Sequence, residues 1–229
     1  MSIFRRSNNI IMKNDVYNKN INFLNEYCDF SNPNHVWILK GISRNKDNSN
    51  NPNMHNFFRR MILTCPEDIK SSYEEIWMLA DNPLTNYRIY ISLNSRDVTK
   101  AAMNFQKSLI DLSHGALMGN IADLQKIKLL SSGWKTELEQ STCRGTKRVL
   151  LDIDDMDSRP DNVIEFIQNN CKTIVRCLRK TVSGWAIVFD ACDTRELIKQ
   201  CENWNIKVDL HRDSMLFVES FKPYAHTVE

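Results

Sequence analysis

The second half of the chain alternates short apolar segments with polar ones, and this order restricts the fold more than any other feature of the sequence. Runs rich in β-branched and aromatic residues predict strands over 148–154, 173–180, 185–190, 206–211 and 214–220. A helix is predicted from Pro160, because proline favours the first helical position. A second helix is predicted over 193–203. The predicted order is therefore β-α-β-β-α-β, followed by one further strand.

That order is the plan of the RRM or ferredoxin-like unit, so we expect an α+β fold. In such a unit, one antiparallel sheet carries both helices on one face and leaves the other face open for a site. The strands 206–211 and 214–220 are expected to pair and to close the sheet.

The first half of the chain is less regular. Its patterns predict strands over 35–42 and 87–93 and helices over 66–79, 96–112 and 116–130. A long loop is predicted over 131–146. The first sixty residues contain 15 asparagines, and the polar stretch 44–56 predicts an exposed loop. We divide the chain into an N-terminal α/β extension, 1–80, and a catalytic RRM-type unit, 81–229.

Composition and charge exclude several classes of protein. The chain has 229 residues and a net charge of +2, which rules out a histone-like polycation. The sequence contains no apolar run of about 18 residues, so no membrane partner is expected. Its 7 cysteines form no CxxC pair, which favours free thiols in a reducing compartment. Since no signal peptide is evident, cytoplasmic residence is expected. A protein partner bound through the basic residues 1–60 stays an open alternative.

The segment VLLDIDDMD, 149–157, carries the strongest chemical signal. Because side chains alternate along a strand, Val149, Leu151 and Ile153 are expected to face the helices, and Asp152 and Asp154 the other side. Paired carboxylates repel each other unless a cation lies between them, and oxygen ligands suit Mg²⁺ or Mn²⁺. The sequence therefore predicts a metal site at Asp152 and Asp154, to which Asp155 could contribute.

Other residues could complete such a site. Asp213 is the expected third acidic ligand, with Asp209 and Glu219 as competitors. The turn Ser183–Gly184 offers a hydroxyl and backbone N–H groups that could hold a phosphate. Further candidates for phosphate binding are basic or lie beside the turn: Lys180, Ala186, Arg212 and Arg148.

The segments YRIYISLNSRDVTKA, KRVLLDIDDMD and KTVSGWAIVFD together resemble the archaeo-eukaryotic primase superfamily, and in particular a phage-encoded branch of primase-polymerases. The resemblance covers 148–220 best and 87–112 more loosely. It implies nucleotidyl transfer with two divalent metals held by Asp152 and Asp154, with a nucleoside triphosphate and DNA or RNA as partners. It also implies a plasmid- or phage-encoded protein in a bacterial host.

One position departs from the family pattern. The family places a phosphate-binding histidine on the strand that follows the small-residue turn, where this chain has Ala186. A methyl group cannot donate a hydrogen bond to a triphosphate. Three hypotheses therefore stand together: a primase-like nucleotidyltransferase, a metal-dependent nuclease on the same scaffold, and a catalytically inactive protein that binds nucleotides or nucleic acid.

Overall fold

The computed structural model describes residues 2–43, 47, 58–80, 86–128, 130–155 and 160–221. Over these residues the chain is α+β. The described helices are α1 (Ser2–Tyr27), α2 (Glu67–Ala80), α3 (Val98–Leu117), α4 (Ile121–Lys128), α5 (Leu130–Leu138), α6 (Pro160–Asn169) and α7 (Arg195–Asn203). The described strands are β1 (His35–Ser43), β2 (Phe58–Leu63), β3 (Tyr87–Ser92), β4 (Arg96–Asp97), β5 (Arg148–Ile153), β6 (Val175–Lys180), β7 (Trp185–Asp190), β8 (Val208–His211) and β9 (Met215–Phe221).

The first of two antiparallel sheets has the strand order β2-β1-β3-β9, and the short β4 pairs with the start of β1. Helices α1 and α2 supply much of the apolar surface packed against it. Leu24 and Tyr27 of α1 and Ile69, Tyr73 and Ile76 of α2 are all buried in the same core cluster. At about 25 cal/mol per Å² of apolar area removed from water, this burial stabilises the N-terminal half.

The second antiparallel sheet has the strand order β6-β7-β5-β8. Helices α6 and α7 cover one of its faces through a separate core cluster that contains Val163, Ile167 and Leu197. Val149, Leu151 and Ile153 are buried in this cluster, as the alternation along the strand predicts.

The other face of the second sheet is largely covered, contrary to the expectation of an open face. Leu150 of β5 and Ala186 and Val188 of β7 are buried in the first core cluster, beside Ile89 and Leu216 of the first sheet. The physical reason is that these positions are apolar, and the first sheet offers them an apolar surface. The end of this face that carries the aspartates stays accessible.

The last two strands do not pair with each other. Strand β8 pairs with β5 in the second sheet, whereas β9 pairs with β3 in the first. The predicted closing pair is therefore wrong, although both strands exist. The predicted unit 81–229 thus contributes three strands, β3, β4 and β9, to the sheet that β1 and β2 of the predicted extension complete.

The region between β4 and β5 also differs from prediction. The predicted helix 116–130 is interrupted after α3 at Gly119, whose φ of +87° suits glycine. The predicted loop 131–146 is wrong over its first part, because α5 extends to Leu138, which is fully buried. A short 3-10 helix, Ser141–Cys143, follows. The predicted Asn-rich loop, 44–56, lies outside the described residues except for Asp47. Among the described helices, none is long and apolar enough to cross a membrane.

Candidate functional site

A cleft of about 280 Å³ lies where the two sheets diverge. Its wall from the first sheet consists of side chains of β3 and β9: Arg88, Tyr90, Met215 and Phe217. Its wall from the second sheet consists of residues of β5, of β7 and of the turn before β7: Leu150, Asp152, Asp154, Thr181, Val182, Ser183 and Ala186. The predicted aspartate pair therefore lies in a concave site between two sheets.

Asp152 and Asp154 occupy the end of β5 in different environments. In the strand register, Asp152 lies opposite Ala186 on β7 and opposite Asp209 on β8. Directly opposed residues of an antiparallel pair share a face, so Asp209 is the acid that strand pairing brings beside Asp152. Asp154 is exposed beyond the strand and accepts a hydrogen bond from Ser183 Oγ at 3.3 Å.

The protein raises the pKa of the Asp152 carboxyl above its ordinary value. Partial burial is the largest cause, and the negative charges of Asp154 and Asp209 add to it, while His211 acts in the opposite direction. Burial and neighbouring like charges both disfavour the ionised form. A bound cation would relieve both effects, which makes this end of β5 suited to a positive ligand.

The turn that leads into β7 is held against the end of β5. Gly184 N–H donates to Thr181 Oγ1 at 3.0 Å, and Gly184 O accepts from Thr181 N–H at 2.9 Å. A Cβ at position 184 would lie 1.8 Å from the Ile153 carbonyl oxygen, so only glycine fits. The Gly184 N–H proposed for phosphate binding is thus already bonded within the turn, and Ser183 is the residue of this turn that contacts an acid.

Asp213 does not join the aspartate pair. Its oxygens accept from Arg96 Nη2 at 2.8 Å and from Arg96 Nη1 at 3.1 Å, and Asp213 does not line the cleft. Arg96 is buried, so its charge requires this partner. The expected third ligand is corrected accordingly. Its competitor Glu219 accepts from Asn20 Nδ2 at 3.0 Å, which leaves Asp209 as the acid placed beside Asp152.

The basic residues predicted to bind phosphate do not lie beside the aspartates. Lys180 lies opposite Trp185 on the helix-covered face of the second sheet, with Nζ 5.8 Å from the indole ring. Arg148 is buried at the far end of β5, and Arg212 lines a different cavity with it. The predicted grouping of these three cations with the aspartates is therefore wrong, since strand polarity and alternation separate them. Ser183 and Ala186 do line the cleft.

Two aromatic side chains of the cleft were not predicted as site residues. Tyr90 and Phe217 lie opposite each other in the first sheet, with ring centroids 5.9 Å apart. The alternation in YRIYISL places Arg88 and Tyr90 on one face, which is a signal that the sequence does contain. Their position across from the aspartates depends on the packing of two sheets, for which the sequence offers no local pattern.

The cleft contains too few carboxylates to hold a metal ion through protein ligands alone. Within the described residues, no group of three or more His, Cys, Asp or Glu side chains is arranged to hold a metal. Asp155 is exposed next to Asp154, and Asp157 lies outside the described residues. Because Mg²⁺ is often held by one or two carboxylates together with water and substrate phosphates, the pair still fits a substrate-assisted site.

Comparison of the chain with protein-family models, with curated proteins and with solved structures gives no match in any of the three. The resemblance to primases consequently rests on the residues quoted from the sequence alone.

Proposed function

We propose that this chain is a primase-like nucleotidyltransferase that acts on nucleic acid at the cleft between its two sheets. The observation that carries the proposal is the placement of Asp152 and Asp154 together at the accessible end of β5, in a concave site. A like-charged pair with a raised Asp152 pKa is expected where the substrate arrives with metal ions.

Asp152 and Asp154 are the residues that would hold Mg²⁺ or Mn²⁺, with Asp209 adjacent. When bound, such ions neutralise phosphate charge and favour ionisation of an attacking hydroxyl. The raised pKa of Asp152 predicts that metal binding becomes weaker as this carboxyl is protonated at lower pH.

The opposite wall suits the nucleoside part of a substrate. Tyr90 and Phe217 present aromatic surface, and bases stack on such side chains without strong sequence preference. Ser183 Oγ donates to Asp154 and would hold that carboxylate in position for a metal ion. The cleft has acids on one sheet and aromatic side chains on the other. This arrangement supports a nucleotide as substrate.

The proposal includes a fold assignment for the second sheet. Chain order β5-α6-β6-β7-α7-β8 and strand order β6-β7-β5-β8, with both helices on one face, support an RRM or ferredoxin-like unit. In this unit the aspartates lie at the end of an internal strand, β5.

A second candidate function is binding of nucleotides or nucleic acid without synthesis. It is favoured by Ala186, which is 2% exposed at the base of the cleft beside Asp152 and cannot donate a hydrogen bond to phosphate. Loss of one such donor would lower transition-state stabilisation while leaving the acids in place.

The test is incorporation of labelled nucleoside triphosphates on single-stranded DNA and RNA templates, with Mg²⁺ or Mn²⁺. We expect synthesis by the natural chain and a loss of about 100-fold or more in Asp152→Asn and Asp154→Asn. Asp111→Asn is the matched control, because Asp111 is an exposed acid of α3 that lies outside the cleft.

Each alternative gives a different result in the same assay. Cleavage of the labelled strand without triphosphates would identify a nuclease. Salt-sensitive binding with no altered strand would identify the inactive binder. Synthesis that survives in Asp152→Asn and Asp154→Asn would refute the assignment of the site.

A further inference from the structure

A second cavity, of about 440 Å³, lies at the opposite end of β5 from the aspartate pair. It is enclosed by the first turn of α3, the 3-10 helix Ser141–Cys143, the start of β5 and the segment between β7 and α7. Its described lining includes five basic side chains: Lys100, Arg144, Lys147, Arg148 and Arg212. The hydroxyls of Ser141 and Thr142 also line it.

The positive charge of this cavity is not balanced within its walls. None of the described lining residues is acidic. Acids that interact with these cations lie outside the lining: Asp97 forms a salt bridge with Lys100 at 3.5 Å, Asp29 interacts electrostatically with Arg148, and Asp193, which pairs with Arg195, interacts with Arg212. Several like charges held close together repel each other, so this arrangement favours a bound anion.

Two of the cations are held in fixed positions. Arg144 donates from Nε to Ser141 O at 3.0 Å and from Nη1 to Arg212 O at 2.9 Å. Arg148 donates from Nη1 to Tyr27 O at 3.1 Å and packs over the rings of Tyr27 and Trp37. Among the described residues no carboxylate forms an ion pair with Arg148, although it is only 8% exposed. The charge of Arg148 is therefore balanced by a carbonyl oxygen, two aromatic rings and the more distant Asp29, and a buried charge without an ion-pair partner is unusual in proteins.

Two further cations of the lining can adapt to a ligand. Lys147 and Arg212 are exposed, and no hydrogen bond from either side chain is recorded in the described part of the chain. The fixed guanidinium groups of Arg144 and Arg148 supply a preorganised positive charge, and the exposed side chains of Lys147 and Arg212 supply hydrogen-bond donors that can adjust to a ligand. Among the described residues of the lining, none has an aromatic side chain on which a base could stack.

We infer that this cavity is a second anion site, which binds the phosphate groups of a compact phosphate-bearing ligand. Arg148 and Asp152 are four residues apart, or about 13 Å along the strand, so the site is distinct from the aspartate cleft. The inference does not depend on nucleotidyl transfer. The phosphates could belong to a free nucleotide or to the 5′-phosphorylated end of a nucleic-acid strand, since both present the same chemistry.

The test is calorimetric titration of the full chain with inorganic tripolyphosphate at low salt and with EDTA present, so that no metal at the aspartates contributes. We expect one binding event that weakens as salt is added. The double variant Lys147→Gln/Arg212→Gln should bind at least about tenfold more weakly, as expected for the loss of charge-assisted hydrogen bonds. The control Lys107→Gln/Lys199→Gln removes the same charge from exposed helical positions and should stay within about twofold.

A comparison of ligands then identifies the source of the phosphate. Tighter binding of a nucleoside triphosphate than of a 5′-phosphorylated oligonucleotide supports a free nucleotide, and the reverse order, lost with a 5′-hydroxyl strand, supports a strand end. Absence of tripolyphosphate binding overturns the inference. So does equal weakening by the two double variants, provided that both retain the melting temperature of the natural chain.

Discussion

Asp152 and Asp154 are two residues apart on the same side of β5, yet the protein surrounds them differently. Asp152 is half-buried inside the sheet and opposite Asp209, whereas Asp154 lies beyond the strand and contacts Ser183. The common orientation of the two carboxylates could be predicted from alternation along the strand. The neighbour Asp209 could not, because its position depends on pairing between strands that are distant in the chain.

The raised pKa of Asp152 predicts a pH-dependent cost in stability. Folding favours the protonated form, so this stabilisation is present below the ordinary carboxyl pKa of 3.8 and is lost as the pH rises through the higher pKa of the folded state. Asp152→Asn, which is never charged, should therefore increase the free energy of unfolding at pH 7 by on the order of 0.5 kcal/mol, the size typical of partly exposed charges.

Urea denaturation at several pH values checks this expectation. The gain should shrink towards zero as the pH falls to the ordinary carboxyl range. Asp111→Asn removes an exposed charge in the middle of α3 and should leave stability nearly unchanged at either pH. A variant Asp152→Asn that is less stable than the natural chain at pH 7 would contradict the prediction.

Gly184 is the residue whose size decides the geometry of the turn beside the aspartates. In Gly184→Ala the added Cβ would overlap the Ile153 carbonyl oxygen, which is backbone and cannot move without shifting the end of β5. We expect a loss of about 2 kcal/mol in the free energy of unfolding. The adjacent Ser183→Ala removes only the 3.3 Å hydrogen bond to Asp154 and should lose less than about 1 kcal/mol. Denaturant titration of both variants measures the difference, and equal losses would refute the steric explanation.

At the scale of elements, local sequence patterns predict the helices and strands whose own residues carry a clear periodicity or a start signal. Strands β1, β3, β5, β6 and β7 follow from alternation and β-branched residues, and α6 from its initial proline. Helix α5 was missed because Gly133 favours a loop, whereas the burial of Leu138 and Trp134 against β1 and α3 stabilises a helix. The pairing of β9 with β3 could not be predicted, since those strands are far apart in sequence and either sheet could have accepted β9.

The contact between Arg96 of β4 and Asp213 before β9 joins elements from both halves of the chain. Side chains of Arg96 and Asp213 are 5% and 18% exposed, so removal of one leaves a nearly buried charge unpaired. Asp213→Ala should therefore reduce the free energy of unfolding by about 3 kcal/mol. In urea titrations, the exposed pair Asp193–Arg195 provides the control: Arg195→Ala, which removes a side chain that is 88% exposed, should change stability by less than about 0.5 kcal/mol.

The same variant distinguishes a structural role from a ligand role. If Asp213 acts only through Arg96, stabilisation of the protein by added Mn²⁺ should persist in Asp213→Ala and disappear in Asp152→Asn/Asp154→Asn. Loss of the Mn²⁺ effect in Asp213→Ala, without loss of stability, would restore Asp213 as a ligand.

At the scale of the whole molecule, the two sheets share one core. Leu150, Ala186 and Val188 of the second sheet lie in the same cluster as Trp37 and Leu216 of the first. The sequence pattern of each half indicates which faces of its strands are apolar. It does not predict that one face of the second sheet is buried against the first sheet. One end of that face stays accessible because the strand carries Asp152 and Asp154 there in place of apolar residues.

This shared core predicts how the chain responds to division at residue 80, the boundary suggested by the sequence. The fragment 81–229 retains β3 and β9 but loses β1, the neighbour of β3 in the sheet, and α1, which covers the core with Leu24 and Tyr27. Exposed apolar surface and an unpaired strand edge favour aggregation. We expect the fragments 1–80 and 81–229 to be unfolded or aggregated when expressed alone, and to recover native circular dichroism when expressed together. A monomeric fragment 81–229 that melts cooperatively on its own would show that the second part is an independent domain and that the contacts between the sheets are dispensable for folding.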